Sequence, residues 1–359
     1  MISECLDERV GVFEAVVDSN LGLGKGDFLH VSAGKTYGGV EKMLMAFAAS
    51  NSLTGRDRHH FALCFDGLLS EKLEKIGANP MIFGPARRLG IFQRVAAGKK
   101  LQKIISKKSP KAVIFHGDWV FDLFAGAAKK RGFKLIKMLH NLGEVSLRRF
   151  NWLIGFTRPD LVIANSKITA TNYLEHHPRA KVATAYPPML IRQEFNRVAE
   201  RKAVLGKLGL GDGVKLILTA ARFEWGKGHD IGLDALTLLD SKINWAWLVA
   251  GAPHNRIENE YYEGFREKVE KKLPADRVVW LGHVDDLEPY YLSADVYCQF
   301  NRKPESYGLT FAEAAMLGCP VLTTGIGAAQ EVLAGEEGHT FVPKPSPINF
   351  ARELSRILV

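Results

Sequence analysis

Short apolar, β-rich runs alternate with longer polar stretches of helical periodicity from Phe28 onward. The runs are "FLHVSA", "HFALCF", "AVIFH", "KLIKML", "LVIAN" and "KVATA". Strand-length apolar runs separated by helix-length segments predict parallel strands joined by crossover helices. The series is then interrupted by "YPPMLIRQEFN", whose paired prolines deny both helix and ladder hydrogen bonding and mark a linker. It restarts with "VKLILTAA", "WAWLVAG", "RVVWLGH", "DVYCQF", "PVLTTG" and "HTFVP", separated by helical segments such as "GHDIGLDALTLLD" and "IENEYYEGFREKVEKKL". Two such series predict an α/β protein of two doubly wound, Rossmann-like domains facing a central cleft, the default place for a ligand. The expected organisation is an N-terminal extension over 1–26, a first domain over 27–190 and a second over 191–359.

Bulk composition supports this picture and narrows the function. A chain of 359 residues suits two domains of ordinary size. With 47% hydrophobic and 24% charged residues and a mean hydropathy of −0.05, it is globular rather than disordered. No apolar stretch has the length of a membrane span; the best, "AVIFHGDWVFDLFAGAA", is broken by His116, Asp118 and Asp122. The first residues carry Glu4, Asp7 and Glu8 where a secretory signal would be basic, so no targeting segment is read there. Cysteines 5, 64, 298 and 319 form no CxxC pair and no zinc-like pairing with histidines, and fit a reducing, cytoplasmic setting.

Net charge is +9, which favours a polyanionic or phosphorylated partner. Between Arg87 and Lys111 stand nine basic residues and no acid, interleaved with Ile91, Phe92, Val95, Leu101, Ile104 and Ile105. The segment reads as a basic amphipathic helix, with two alternatives: a solvated surface helix, or a docking surface for an acidic partner or the inner face of an anionic membrane. It lacks the aromatics and motifs of a nucleic-acid reader, and no nucleic acid is expected as a partner.

Two Gly-rich stretches fail as nucleotide motifs. "GKT" at 34–36 would need a glycine where Leu29 stands, and "GLGKGD" at 22–27 ends in Asp27 where a dinucleotide fingerprint needs glycine. Better candidates lie in the second half. Arg222 and Lys227, in "AARFEWGKGHD", follow a strand directly, at the end where open α/β sheets bind ligands. An Arg fork and a mobile Lys charge suit a diphosphate, and an ordinary charged loop is the alternative. In "PESYGLTFAEAAMLGCP" the helix formers from Ala312 to Leu317, closed by Gly318 and Pro320, predict a helix starting near Gly308. Its first amides, at Gly308, Leu309 and Thr310, and the helix dipole favour an anion in front of them. Glu305 before the helix and Glu313 within it suggest a hydroxyl-bearing ligand gripped on both sides of a phosphate; a cap at Glu305 and a solvent-facing Glu313 are the alternatives.

Together, the Glu305 to Glu313 spacing, the Arg222 to Lys227 loop, "LGHVDDLEPYYLSADVY", "PVLTT" and "GAAQEV" resemble the donor half of retaining glycosyltransferases of the GT-B fold, family four, densely from about Ala221 to Val342. The first half carries sparser likenesses in "HVSAGKTYGGVEKM", "LHN" at 139–141 and "VIANS" at 162–166. The resemblance implies an acceptor-side first domain and a nucleotide-sugar donor domain second. Arg222 and Lys227 would hold the diphosphate and Glu313 the ribose. Glu305 would contact the donor sugar, helped by the amides of Gly308, Leu309 and Thr310. Gly38 and Gly39 would form a first loop over the donor, where a missing side chain permits close approach, and His140 would touch the sugar from the opposite wall. The family pattern is altered at Ala221 and Ala328, where glycines are usual; the resemblance also leads to the expectation of a terminal helix crossing back onto the first domain, which is not read in the sequence through "INFARELSRILV".

The implied reaction is hexosyl transfer with retained configuration. The cations and helix amides would stabilise the departing diphosphate, at about 2.7 to 4 kcal/mol for each such contribution. No metal and no further cofactor is expected; "VDD" at 284–286 is a weak acid pair, read instead as the start of the helix "DDLEPYYLS". A nucleotide-sugar epimerase, a phosphorylase on the same architecture, and a non-catalytic nucleotide-sugar-binding protein at a membrane are the competing readings. The acceptor, the donor base and the donor sugar are left open.

Overall fold

The computed structural model describes residues 3–34, 38–55, 58–84, 91–129, 132–143, 157–335 and 337–359. Lys35 and Thr36 of the Gly-Lys-Thr stretch, and Arg87 and Arg88 of the basic stretch, lie outside the described residues. The chain divides into two compact units, Met1–Leu190 and Ile191–Val359, and the division falls within the diproline segment.

In the first unit the elements run α1 (Ser3–Leu21), β1 (Phe28–Ser32), α2 (Gly39–Thr54), β2 (His59–Leu63), α3 (Leu68–Lys75), β3 (Met81–Ile82), α4 (Ile91–Lys108), β4 (Ala112–His116), α5 (Asp118–Lys129), β5 (Lys134–Leu139), β6 (Leu161–Ala164), α6 (Lys167–His176) and β7 (Val182–Thr184). The strands form one sheet in the order β3-β2-β1-β4-β5-β6-β7, every described pairing being parallel. Strands β1, β2 and β4 are buried along their whole length because helices cover both faces. Alternation sends Phe28, Phe61, Ile114 and Met138 into a core with α1 and α2, and Leu29, Val31, Val113 and Phe115 into a second core with α4 and α5.

Two segments set apart by the sequence find their places here. The N-terminal segment is α1, whose Leu6, Val10, Phe13 and Val17, spaced by three and four, are buried against Met43 and Phe47 of α2. It is part of the unit's core. The basic stretch is α4, whose Ala97, Leu101 and Ile105 pack among Phe83, Phe115 and Phe124, while Lys99, Lys100, Lys103 and Lys107 are exposed. Ala97, Leu101 and Ile105 thus serve the unit's own core, while Val95 is exposed. Among the described residues no helix is long and apolar enough to cross a membrane.

The second unit comprises α7 (Arg197–Leu208), β8 (Lys215–Ala220), α8 (His229–Leu236), β9 (Trp245–Ala250), α9 (Arg256–Lys272), β10 (Val278–Gly282), α10 (Glu288–Ser293), β11 (Val296–Gln299), α11 (Leu309–Met316), β12 (Val321–Thr324), α12 (Ala329–Val332), β13 (Thr340–Val342) and α13 (Pro347–Leu358). Its parallel sheet has the order β10-β9-β8-β11-β12-β13. Helix α13 opens with Pro347 and buries Phe350, Ala351, Leu354 and Leu358 in the core that also holds Trp247 and Phe300. Helix α10 begins at Glu288, later than the acid pair suggested, because Asp286 uses its carboxylate to accept from the Glu288 amide at 3.0 Å and so shapes the turn before the helix.

Both sheets are doubly wound Rossmann-like sheets. Their strand order reverses between β1 and β4 in the first and between β8 and β11 in the second, and each reversal creates a switch point at the carboxyl ends of the strands.

Candidate functional site

The switch point of the second sheet collects most of the residues singled out from the sequence. Arg222 lies just past the end of β8, and Lys227 closes a short 3-10 turn, Trp225–Lys227, in the same loop. Glu305 lies past the end of β11, in the loop that leads into α11. The Lys227 ammonium donates to Glu305 Oε1. Gln299 Nε2 donates to the same oxygen at 2.9 Å and Asn301 Nδ2 at 3.2 Å. Gln299 and Asn301 are each 2% exposed, and their carbonyl oxygens, also buried, have no partner among the described residues. Buried acceptors without donors are costly, so a ligand hydroxyl or amide here would be favoured.

The backbone around Glu305 is equally determined. Glu305 forms an isolated parallel bridge with Gly327, and its carbonyl accepts from the Ala328 amide at 3.0 Å. A Cβ on Gly327 would stand 2.4 Å from the Glu305 carbonyl oxygen, so this glycine permits the close approach. Gly308 caps α11 with φ +86°, and a Cβ there would fall 1.9 Å from the Phe311 ring. The turn therefore delivers the chain into α11 in a conformation only glycine tolerates. The first-turn amides at Leu309 and Thr310 have no intrahelical acceptor, as at any helix start.

Glu313 sits inside α11, 7% exposed, and accepts from the Tyr291 hydroxyl at 3.3 Å. It is not a solvent-facing residue. Burial, and then the Glu313 charge, push the Tyr291 phenol well above its usual range. Tyr297, fully buried on β11, donates to the Ala220 carbonyl at 3.1 Å. Its phenol is raised as well, chiefly by burial, which outweighs its hydrogen bond with Thr310, and further by the charges of Glu305 and Glu313. Both carboxylates, one before α11 and one within it, thus raise the same phenol.

Arg222 is more than half exposed, 3.2 Å from Glu224 Oε1 and 3.7 Å from Glu258 Oε1. Glu258 in turn accepts from the His254 amide at 2.8 Å, tying the turn after β9 to the Arg222 loop. Beside them Trp225 is exposed, with the Arg302 guanidinium 5.2 Å above its ring and bonded to Asp230.

The remaining predicted residues belong to the first unit, and each is described there. Gly38 is the N-cap of α2, with its amide donating to Glu41 Oε2 at 3.0 Å, and Gly39 begins the helix. His140 follows β5 and places Nε2 3.1 Å from His116 Nδ1, the two rings stacked at 5.3 Å. Burial lowers its pKa to about 4, so the ring is neutral at ordinary pH. Sequence reasoning missed Gln299, Asn301, Tyr291 and Tyr297. The polar pair in "QFN", two residues apart at the end of an apolar strand, was the available signal.

Residues 200–359 match the family described as Glycosyl transferases group 1. The lipopolysaccharide core biosynthesis mannosyltransferase LpsB of Rhizobium meliloti is 31% identical over 51% of this chain and 50% of its own length. A D-inositol 3-phosphate glycosyltransferase of Xylanimonas cellulosilytica is 29% identical over 44% of this chain and 37% of its own. The chain thus spans half of the first relative and little more than a third of the second. In fold it is similar to Anabaena HepE, crystallised with UDP and glucose, at a TM-score of 0.76 and 18% identity over 92% of this chain and 89% of that one. It is also similar to WaaG, a glycosyltransferase involved in lipopolysaccharide biosynthesis, at 0.64 and 14% over 92% and 90%. The fold is GT-B. The match to the group 1 glycosyltransferases lies within the second unit.

Proposed function

We propose that this protein is a retaining hexosyltransferase that moves a sugar from a nucleoside-diphosphate sugar to a hydroxyl acceptor. The observation that carries the reading is the convergence, at the switch point of the second sheet, of Lys227, Gln299 and Asn301 on one oxygen of Glu305, directly before the glycine-opened start of α11. Arg222, Lys227 and the Leu309 and Thr310 amides would neutralise the diphosphate as it leaves, fixed charge and dipoles needing no reorganisation in the transition state. The turns after β9 and β10 lie on the Arg222 side of β8 and would hold the base, while Glu313, braced by Tyr291, would take the ribose hydroxyls. Glu305 would accept from a hydroxyl of the donor sugar, and the leaving phosphate would take the acceptor's proton on the same face. No metal is assigned a role. The UDP and glucose held by HepE, and the sugar transfer named for LpsB, support the same donor class. Any contact with an anionic membrane would run through the exposed lysines of α4 by charge alone.

Thermal-shift screening of nucleoside diphosphates and their sugars tests this directly. A true donor at 100 times its dissociation constant adds about 2.7 kcal/mol of stability, visible as a raised Tm. Product analysis then separates transfer from epimerisation, phosphorolysis and binding without turnover. If no nucleoside diphosphate raises the Tm, the reading fails.

A further inference from the structure

Buried in the first unit is a line of imidazoles that the proposed reaction does not account for. Glu14 Oε1, on α1, stands 3.2 Å from His59 Nε2; His59 Nδ1 is 2.9 Å from His30 Nε2; His30 Nδ1 is 2.9 Å from His116 Nε2; and His116 Nδ1 is 3.1 Å from His140 Nε2. Strand register explains the line. His59 pairs with Phe28, two residues before His30; His30 pairs with Ile114, two before His116; and His116 pairs with Met138, two before His140. Each histidine therefore lies one strand across and two residues further along, on the same face of the sheet. The diagonal climbs from α1 to the carboxyl end of β5, the end where such sheets bind ligands.

Among the described residues, aromatic rings flank its middle. His30 is packed against Phe47 and Phe61, and His59 against Phe28 and Phe47. A neutral imidazole has one N–H and one acceptor nitrogen, so in an unbroken line of such rings the direction of every hydrogen bond is decided at the end where the partner has no choice. Glu14 is that end. Burial raises its carboxyl, but the His59 hydrogen bond and the charges of His59, Arg58 and Lys111 outweigh burial and hold it below its ordinary value. Arg58 stands 2.6 Å from its other oxygen. A carboxylate only accepts, so His59 donates from Nε2 and must accept at Nδ1, and the same assignment passes to His30, His116 and His140. Desolvation lowers the pKa of all four rings and opposes a charged ring anywhere in the line.

We infer that Glu14, His59, His30 and His116 form a tautomer-setting relay that fixes His140 as an Nε2–H imidazole, with Nδ1 as its acceptor nitrogen at the ligand end of the sheet. Glu14, His59, His30 and His116 are then positioning residues that act through His140. The consequence for catalysis rests on the glycosyltransferase reading: a hydroxyl of the sugar or acceptor that meets His140 Nδ1 would donate to it, and that nitrogen would not donate to a phosphate. The tautomer itself does not depend on that reading.

Long-range nitrogen–proton NMR of the histidine-labelled full chain near neutral pH reads each ring's tautomer. The expected result is Nε2–H at His30, His59, His116 and His140. Glu14→Leu removes the acceptor that polarises the line and should turn His30 and His116 into mixtures of tautomers although residue 14 touches neither. His116→Phe cuts the line, and adding Glu14→Leu to it should leave His140 unmoved. An Nδ1–H or doubly protonated ring at His30 or His116 in the unsubstituted protein overturns the inference, as do unchanged His30 and His116 tautomers in folded Glu14→Leu. If that variant does not fold, the unsubstituted tautomers alone decide. The readout needs no substrate, so a failure to find sugar transfer and a failure of the relay are separate results.

Discussion

In the second unit, charged groups stand around the carboxyl ends of β8 and β11, partly open to solvent, and are held by loops whose glycines admit no side chain. In the first unit, the titratable groups on the switch-point strands are neutral rings enclosed in the sheet face, and their chain of hydrogen bonds reaches the ligand end only at His140. One sheet thus presents fixed charge directly, as suits a diphosphate, while the other transmits an orientation through a buried face lined by aromatic rings. The difference teaches that the same doubly wound topology supports a polar site by two means. Loops at a switch point place charge where water can still screen it, whereas inside the sheet a polar group is tolerated when it stays neutral and hydrogen-bonded, as these rings do, or is ion-paired, as Lys137 of β5 is with Asp118.

The sharpest way to break this contrast is at Glu305. Glu305→Ala keeps the backbone bridge to Gly327 and removes the oxygen on which Lys227, Gln299 and Asn301 converge; we expect turnover to fall about 100- to 1000-fold, the size of one lost electrostatic contact in a transition state. Steady-state kinetics beside a thermal melt checks it, and full activity would remove Glu305 from the site. A smaller effect distinguishes the units by pH. His30, His59, His116 and His140 have lowered values when folded, about 4 for His140. Each therefore contributes stability that is complete above the unfolded value of about 6.5 and is lost as pH falls below it towards the folded value, at about 1.4 kcal/mol per pH unit. The second unit has His229, buried and lowered to about 3, as its counterpart. Hydrogen exchange, corrected for intrinsic rate, should show the β1 and β4 amides losing more protection between pH 6.5 and 5 than those of β8 and β9. The smallest expected difference compares two left-handed glycines. Gly22→Ala meets open space at φ +63° and should cost about 1 to 2 kcal/mol of backbone strain. Gly308→Ala should cost about 1 to 3 kcal/mol more, because its Cβ would overlap the buried Phe311 ring. Urea melts measure both.

Much of the fold could be read from the chain because its signals are local. Each apolar run named from the sequence contains a strand, since a parallel strand covered on both faces must be a short continuous run of large apolar residues. Among the described strands, only β3, the two residues Met81–Ile82, carried too little pattern to be seen. The loop chemistry was legible for a similar reason: Arg222, Lys227, Glu305 and Gly308 lie within a few residues of strand or helix ends that the pattern itself locates. The exposed face of α4 was legible, but which partner its apolar stripe would meet was not, because periodicity gives a helix a side without saying what covers it.

The sequence alone determined the strand and helix runs, the linker, and the charged loops of the second unit, because these depend on neighbours along the chain. Only the tertiary structure decided that Gln299 and Asn301 share one oxygen with Lys227, that α1 belongs to the core, and that His59, His30, His116 and His140 meet in a line. Those histidines come from three strands and the turn after a fourth, and their contacts are set by strand order and by a register of two residues per step. Strand order and register arise from the packing of whole sheets, and no stretch of the chain short enough to read as a motif contains them.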